Sequence, residues 1–236
     1  MNPEPTLHPD NVALPPPRVT GSVRLRGDLD EPLSRWLWLV KWILAIPHYV
    51  VLFFLWIAFW VVTVVAWFAI LFTERYPRSL FDFAVGVMRW SWRVQFYTYA
   101  ALGTDRYPPF TLQQTDYPAD LEVDYPQQLS RGLVLVKWWL LAVPHYLILA
   151  ALFSGGVVLG GNSGDNNGST TIPLIGVLVL IAAVALLFTG RYPKGLFGFA
   201  IGVNRWFYRV LAYSALLTDE YPPFRLDQGP REPAAN

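Results

Sequence analysis

Apolar residues along this chain gather into long blocks instead of alternating with polar ones. The longest, Val50 to Phe72, runs 23 residues without a charge, a proline or a glycine, enough at helical rise to cross a hydrocarbon core of ~30 Å. A second block, Ile172 to Thr189, follows a Gly/Asn/Ser-rich stretch. Two more, Trp36 to Leu55 and Leu133 to Phe153, are interrupted only by a lysine and a Pro-His pair. Downstream of the first block, Arg78, Asp82, Gly86, Arg89 and Arg93 fall at steps of three and four. That spacing predicts an amphipathic helix with a polar stripe, and Lys194, Gly198, Gly202, Arg205 and Arg209 repeat it. Short stretches of partial alternation at Ser22–Arg26, Phe110–Gln113, Asp120–Tyr125 and Phe224–Asp227 are candidates for a small sheet.

The pattern is duplicated. Ala45-Ile46-Pro47-His48-Tyr49 returns as Ala142-Val143-Pro144-His145-Tyr146, and Arg75-Tyr76-Pro77 as Arg191-Tyr192-Pro193. Gly86-Val87 and Arg89-Trp90 match Gly202-Val203 and Arg205-Trp206, and Tyr107-Pro108-Pro109-Phe110 closes the first unit as Tyr221-Pro222-Pro223-Phe224 closes the second. This divides the chain into a disordered tail (1–20), unit 1 (21–115), unit 2 (116–228) and a C-terminal tail (229–236). Pro47 to Arg75 spans 28 positions and Pro144 to Arg191 spans 47, an insertion of 19 that includes Asn162 to Ser169. Backbone so polar has no place in lipid, so the insertion is expected to mark a loop outside the membrane, near Leu55 to Ile57 in unit 1. Each unit is then a pair of ~19-residue spans. The rival reading is a single span, Val50 to Phe72, preceded by an interfacial helix.

The fold expected on the first reading is an all-α integral membrane protein. It has four transmembrane helices as two tandem hairpins, each followed by an amphipathic interfacial helix, with a possible small cytoplasmic β-sheet. No Lys or Arg occurs from Trp42 to Glu74 or from Trp138 to Gly190. By the positive-inside rule both termini are cytoplasmic and the Asn/Gly/Ser loop lies outside. The polar, proline-rich first 17 residues argue against a cleaved signal peptide.

Composition agrees: 54% of residues are hydrophobic and 15% charged, well under the roughly 25% charged of a soluble domain. A net charge of +1 gives no field for nucleic acid, and the absence of cysteine excludes disulfides and thiolate chemistry. Neither a zinc-protease His-Glu-x-x-His, a Gly-x-Ser-x-Gly nor a phosphate-cradling loop is present, so no catalytic residue, metal or cofactor is assigned.

The candidate functional residues are intramembrane ones. Ionisable groups in a spanning helix are functional hypotheses by default, which singles out His48 and His145. Each is expected to brace a proline kink by bonding a carbonyl that the proline frees, Ile43 or Leu140; a proton path and a haem or metal held between the two imidazoles are the alternatives. Lys41 and Lys137, about 9 Å deeper than Arg35 and Arg131, can snorkel to the headgroups or line a transport path, although the apolar segments offer no carboxylate partner. Asp105 and Asp219 read as turn residues. Arg75, Arg78, Arg89, Arg93, Arg191, Lys194, Arg205 and Arg209 are candidates for lipid headgroups. Gly156-x-x-x-Gly160 and Gly198-x-x-x-Gly202 fit close helix packing.

The Lys-Trp…Ala-x-Pro-His-Tyr segment, the Leu-Phe-Thr-x-Arg-Tyr-Pro-x-x-Leu-Phe-x-Phe-x-x-Gly-Val-x-Arg-Trp segment and the closing Thr-Asp-x-Tyr-Pro-Pro-Phe resemble the membrane-protein family called domain of unknown function 4389, common in actinobacteria. The resemblance implies a bacterial plasma membrane and two tandem copies, and it supplies no activity. The function expected is a non-enzymatic accessory or scaffold subunit, or an anionic-lipid-binding protein, with a membrane-protein partner possible. A small transporter or channel built on the duplicated bundle is the alternative.

Overall fold

The computed structural model describes residues 21–98, 100–154, 156–159, 170–189 and 192–227. The expected tails, the loop around Asn166, Gly160 and Arg191 lie outside them. The chain is mostly helical. Strand β1 (Val23–Gly27) leads through a 3₁₀ turn (Leu37–Leu39) and a single-turn helix α1 (Lys41–Leu44) into α2 (Ile46–Thr73). Pro47 occupies the first turn of α2, where the missing N–H has no helical partner to lose. The helix stops at Glu74, which takes the left-handed conformation with φ of 60°. Pro77 then starts α3 (Arg78–Tyr97).

Unit 2 follows the same order with two changes. After β2 (Ala119–Val123), Ser130 caps α4 (Arg131–Val136) through its side-chain oxygen, and a π turn (Lys137–Leu141) joins it to α5 (Val143–Ser154). Strands β3 (Gly156–Leu159) and β4 (Thr170–Pro173) form an antiparallel hairpin before α6 (Leu174–Thr189) and α7 (Lys194–Ser214).

The two changes account for the spacing mismatch residue by residue. Lys41 to Pro47 is six positions and Lys137 to Pro144 seven, and the extra residue is absorbed by the π turn, the usual way a helix accommodates one. Helix α2 has 28 residues, α5 has 12 and α6 has 16. Residues 155–173 are therefore inserted into the middle of the segment that unit 1 keeps as one helix. Gly156 pairs with Pro173, so the hairpin brings its own ends together.

This corrects the four-span expectation. Only two helical stretches among the described residues, Ile46–Thr73 and Arg131–Leu152, are long and apolar enough to cross a membrane, while Gly176–Thr189 is shorter. The insertion does not mark a loop shared by both units, because a β-hairpin with adjacent ends can protrude from a helix without reversing it. Helix α2 is uninterrupted at Leu55 to Ile57, as the rival single-helix reading had it. Of the four short alternating stretches, two form strands, β1 and β2; Phe110–Gln113 and Phe224–Asp227 are irregular.

The units interlock through the sheet. Strand β1 opens unit 1 yet lies against α7, with Arg205 Nε donating to the Leu25 carbonyl at 3.2 Å. Strand β2 opens unit 2 yet lies against α3, with Arg89 Nε donating to the Leu121 carbonyl at 2.9 Å. The antiparallel register pairs Leu25 with Leu121, which are 96 positions apart like Arg35 and Arg131. The middle of the sheet thus sits on the pseudo-two-fold axis between the units.

Two layers result. Helices α3 and α7 and the β1–β2 sheet form a polar layer around a core that includes Leu25, Phe81, Trp92, Phe96, Leu121 and Tyr208. Helix α2 packs on α3, and α6 on α7, each giving the other layer only one face. The outward face of α2 exposes Phe53, Phe54, Ile57, Trp60, Val61 and Phe68.

Candidate functional site

Each unit builds the same two polar nodes where its first helices meet its closing Thr-Asp-x-Tyr-Pro-Pro-Phe segment. In unit 1 the Lys41 ammonium, 2% exposed, donates to the Thr104 carbonyl at 2.7 Å and pairs with Asp105 at 2.9 Å. It also lies 4.9 Å from the centre of the Tyr97 ring, within cation–π range. The second oxygen of Asp105 accepts the backbone N–H of Ser34 at 2.5 Å. In unit 2, Lys137 donates to the Thr218 carbonyl at 2.9 Å and pairs with Asp219 at 2.7 Å. Asp219 accepts the Ser130 N–H at 2.6 Å, and Tyr213 stands where Tyr97 does. The lysines neither snorkel nor lack a carboxylate. Their partner comes from a segment outside the apolar runs that folds back about 64 residues away in unit 1, so the pair clamps the end of each unit to its beginning.

The second node is an aromatic enclosure for each histidine. Trp90 Nε1 donates to His48 Nδ1 at 3.1 Å, and Trp206 Nε1 to His145 Nδ1 at 3.1 Å. The Phe110 ring stacks on His48 at 3.9 Å with 17° between planes, and Phe224 on His145 at 4.1 Å with 15°. Tyr107 and Tyr221 tilt against the same imidazoles. An indole N–H can only donate, so Nδ1 is the acceptor and the neutral ring carries its proton on Nε2. Both imidazoles are fully buried, and neither Nε2 has a hydrogen-bond partner. The histidines thus bond a tryptophan of α3 or α7 and not a carbonyl freed by proline. Each is enclosed by its own unit, and no group of three or more His, Asp or Glu with metal-binding geometry occurs among the described residues.

The arginine stripe divides. Arg93 is fully buried and donates to the carbonyls of Thr111 at 3.2 Å and Gln113 at 2.7 Å, with Asp120 3.5 Å away. Arg209 repeats the arrangement with the carbonyls of Arg225 and Asp227. Burial pulls both guanidiniums below their ordinary value, which Asp120 opposes for Arg93; an arginine stays charged at any physiological pH regardless. Arg89 bonds the Leu112 and Leu121 carbonyls and pairs with Asp120 at 3.1 Å, and Arg205 reaches Leu25. These four hold the polar layer together. Arg75 and Lys194 are exposed, and Arg78 pairs with Asp82 at 3.2 Å and covers the Tyr125 ring.

The glycines of the stripe have a local cause. A Cβ on Gly86 would lie 2.8 Å from Leu112 Cβ, and one on Gly202 2.8 Å from Leu226 Cβ, because the loop anchored by Arg93 or Arg209 crosses the helix there. The packing partner is a loop and not a second helix, and Gly198 has open space around it. Asp105, Asp219, Trp90, Trp206 and Asp120 complete the nodes without having been singled out as site residues by sequence; recurrence of the first four in both units was the available signal.

A groove of about 680 Å³ opens beside α3, lined by Arg24, Arg78, Asp82, Arg89, Gln113 and Glu122 among others. Its cations already have partners: Arg24 is bidentate to Asp124 at 2.7 Å.

A family model described as a domain of unknown function (DUF4389) matches residues 35–111 and 173–225, together more than half of the chain. The second match begins where the β3–β4 insertion ends. No curated protein and no solved structure matches the chain.

Proposed function

The chain belongs to the DUF4389 family, and from that premise we propose that it is a non-enzymatic, lipid-embedded scaffold that gathers anionic headgroups around its rim. One observation carries this: the segregation of its surface. Among the described residues, the exposed large apolar side chains lie in 36–72, 135–148 and 180–188, apart from Tyr107, Phe110, Phe199, Tyr221, Phe224 and Leu226. Exposed apolar surface on this scale marks a membrane or a partner, and exposed Trp36, Trp42, Trp60, Trp138 and Trp139 suit the headgroup boundary. Exposed cations stand at the ends of the apolar helices: Arg35, Arg75 and Arg131, with Lys194 opening α7. The basic bias supports a cytoplasmic position for the polar layer. Arg89, Arg93, Arg205 and Arg209 are turned into the protein, so the cations proposed to bind lipid are the exposed rim residues, of which Arg131 also pairs with Glu74 at 3.0 Å.

The polar nodes support a structural role. Their acids and bases pair with one another, and the nitrogen of each histidine that accepts a hydrogen bond is already engaged. Native mass spectrometry in mild detergent tests the reading. Each cation near an anionic leaflet is worth about 1 kcal/mol, so replacing Arg35, Arg75, Arg131 and Lys194 with Gln is expected to remove most co-purifying anionic lipid. Equal occupancy in the parent and the quadruple variant would refute it.

A further inference from the structure

The segment from Tyr76 to Thr98, which includes α3, runs antiparallel to α2 between the levels of Ile70 and Tyr49. Tyr49 Oη bonds Thr98 Oγ1 at 3.1 Å, Trp56 Nε1 bonds Ser91 Oγ at 3.0 Å, and Phe59, Ala66 and Ile70 share a core with Tyr76, Phe81 and Ala84. The sheet lies on the middle of α3, fixed by Arg89 to Leu121 and by Trp92 Nε1 to the Arg26 carbonyl at 2.8 Å. Between the levels of Trp56 and Ile70, the middle of α2 is therefore backed by a surface that carries solvent-exposed charge. Arg26, Asp28, Glu122 and Asp124 have side chains 58%, 70%, 48% and 57% exposed.

A 28-residue helix is ~42 Å long against ~30 Å of hydrocarbon. Standing upright, α2 would carry this sheet to the bilayer centre and turn the half-exposed ion pairs of Arg26 with Asp28 and of Arg24 with Glu122 and Asp124 toward hydrocarbon, where charged side chains are costly. Lying flat, it immerses only its apolar face and leaves the sheet in water, the geometry of an interfacial helix. Length and hydropathy permit α2 to span; its backing does not. With the pseudo-two-fold axis normal to the membrane, the apolar faces at 135–148 and 180–188 fall in the same plane.

We propose that the apolar layer docks into a single anionic leaflet with α2 lying in the membrane plane, so that both ends of α2 remain on one aqueous side. This rests on the reading that the apolar layer contacts lipid.

The chain lacks cysteine, so single-cysteine variants of the full chain report position directly. Val50→Cys, Ile57→Cys and Val64→Cys lie seven apart on the exposed face of α2. They would carry an environment-sensitive fluorophore in vesicles of equal phosphatidylcholine and phosphatidylglycerol containing depth-graded quenching lipids. Ser34→Cys and Ser79→Cys, at exposed positions near the two ends of α2, would be labelled with an impermeant maleimide in right-side-out and inverted membrane vesicles. The expected result is equal depth at all three α2 sites and labelling of both end sites in the same preparation. A depth maximum at Ile57 with the end sites labelled from opposite sides would overturn the in-plane placement and keep the lipid reading. Absence of quenching at every site would overturn the lipid reading, and the placement with it.

Discussion

The hydrogen bond between Trp90 and His48 is a single donor satisfying a single buried acceptor. Trp90→Phe keeps the ring packing and strips the donor, which leaves Nδ1 bare beneath Phe110. The expected loss is about 1–3 kcal/mol, measured as a lower melting temperature in detergent, and Trp206→Phe should match it in unit 2. A melting temperature unchanged by both variants would show that the imidazoles do not depend on their indoles. The lysine node responds differently. Lys41→Met leaves Asp105 without its cation, and Asp105→Asn leaves the 2%-exposed ammonium without its anion; breaking one side of such a pair costs about 3–5 kcal/mol. The double variant should be less destabilised than the sum of the two, since no uncompensated charge remains; strict additivity of the melting shifts would contradict the pairing. These nodes were half legible in the sequence. Lys41 and His48 stand out because they interrupt apolar runs. Asp105 and Trp90 look ordinary in their own segments and acquire meaning only when the chain folds back 64 and 42 positions.

At the scale of the element, the glycines on α3 and α7 divide into two kinds. Gly86→Ala and Gly202→Ala each push a methyl into a loop backbone that Arg93 or Arg209 holds in place, an overpacking worth about 1–3 kcal/mol. Gly198→Ala meets open space and should stabilise α7 by about 0.5–1 kcal/mol through helix propensity. Denaturation of the three variants in detergent separates them, and a destabilising Gly198→Ala would place an unseen neighbour against α7. The inserted hairpin supplies the complementary experiment. Joining Ser154 to Leu174 by deleting 155–173 recreates the 28-residue length of α2. We expect a folded protein whose circular dichroism shows more helix per residue; loss of folding would mean that the hairpin holds unit 2 together. The place of the insertion was legible from the repeat alone. Its topology was not, because spacing records how many residues enter and not whether the chain reverses.

For the whole molecule, the duplicated sequence foretold two equivalent units, and the register of β1 against β2 shows how they join. Each of α3 and α7 is covered by the strand that opens the other unit: Leu121 on α3, Leu25 on α7. That exchange sets an order for biosynthesis. When the first unit leaves the ribosome complete through Phe110, Arg89 and Arg93 still lack the Leu121 carbonyl and the Asp120 carboxylate, so its polar face stays open until the next dozen residues emerge. β1 meets β2 then but waits roughly eighty residues longer for the guanidinium of Arg205. The nascent chain therefore passes through a stage in which a finished apolar surface is carried by an unfinished polar one.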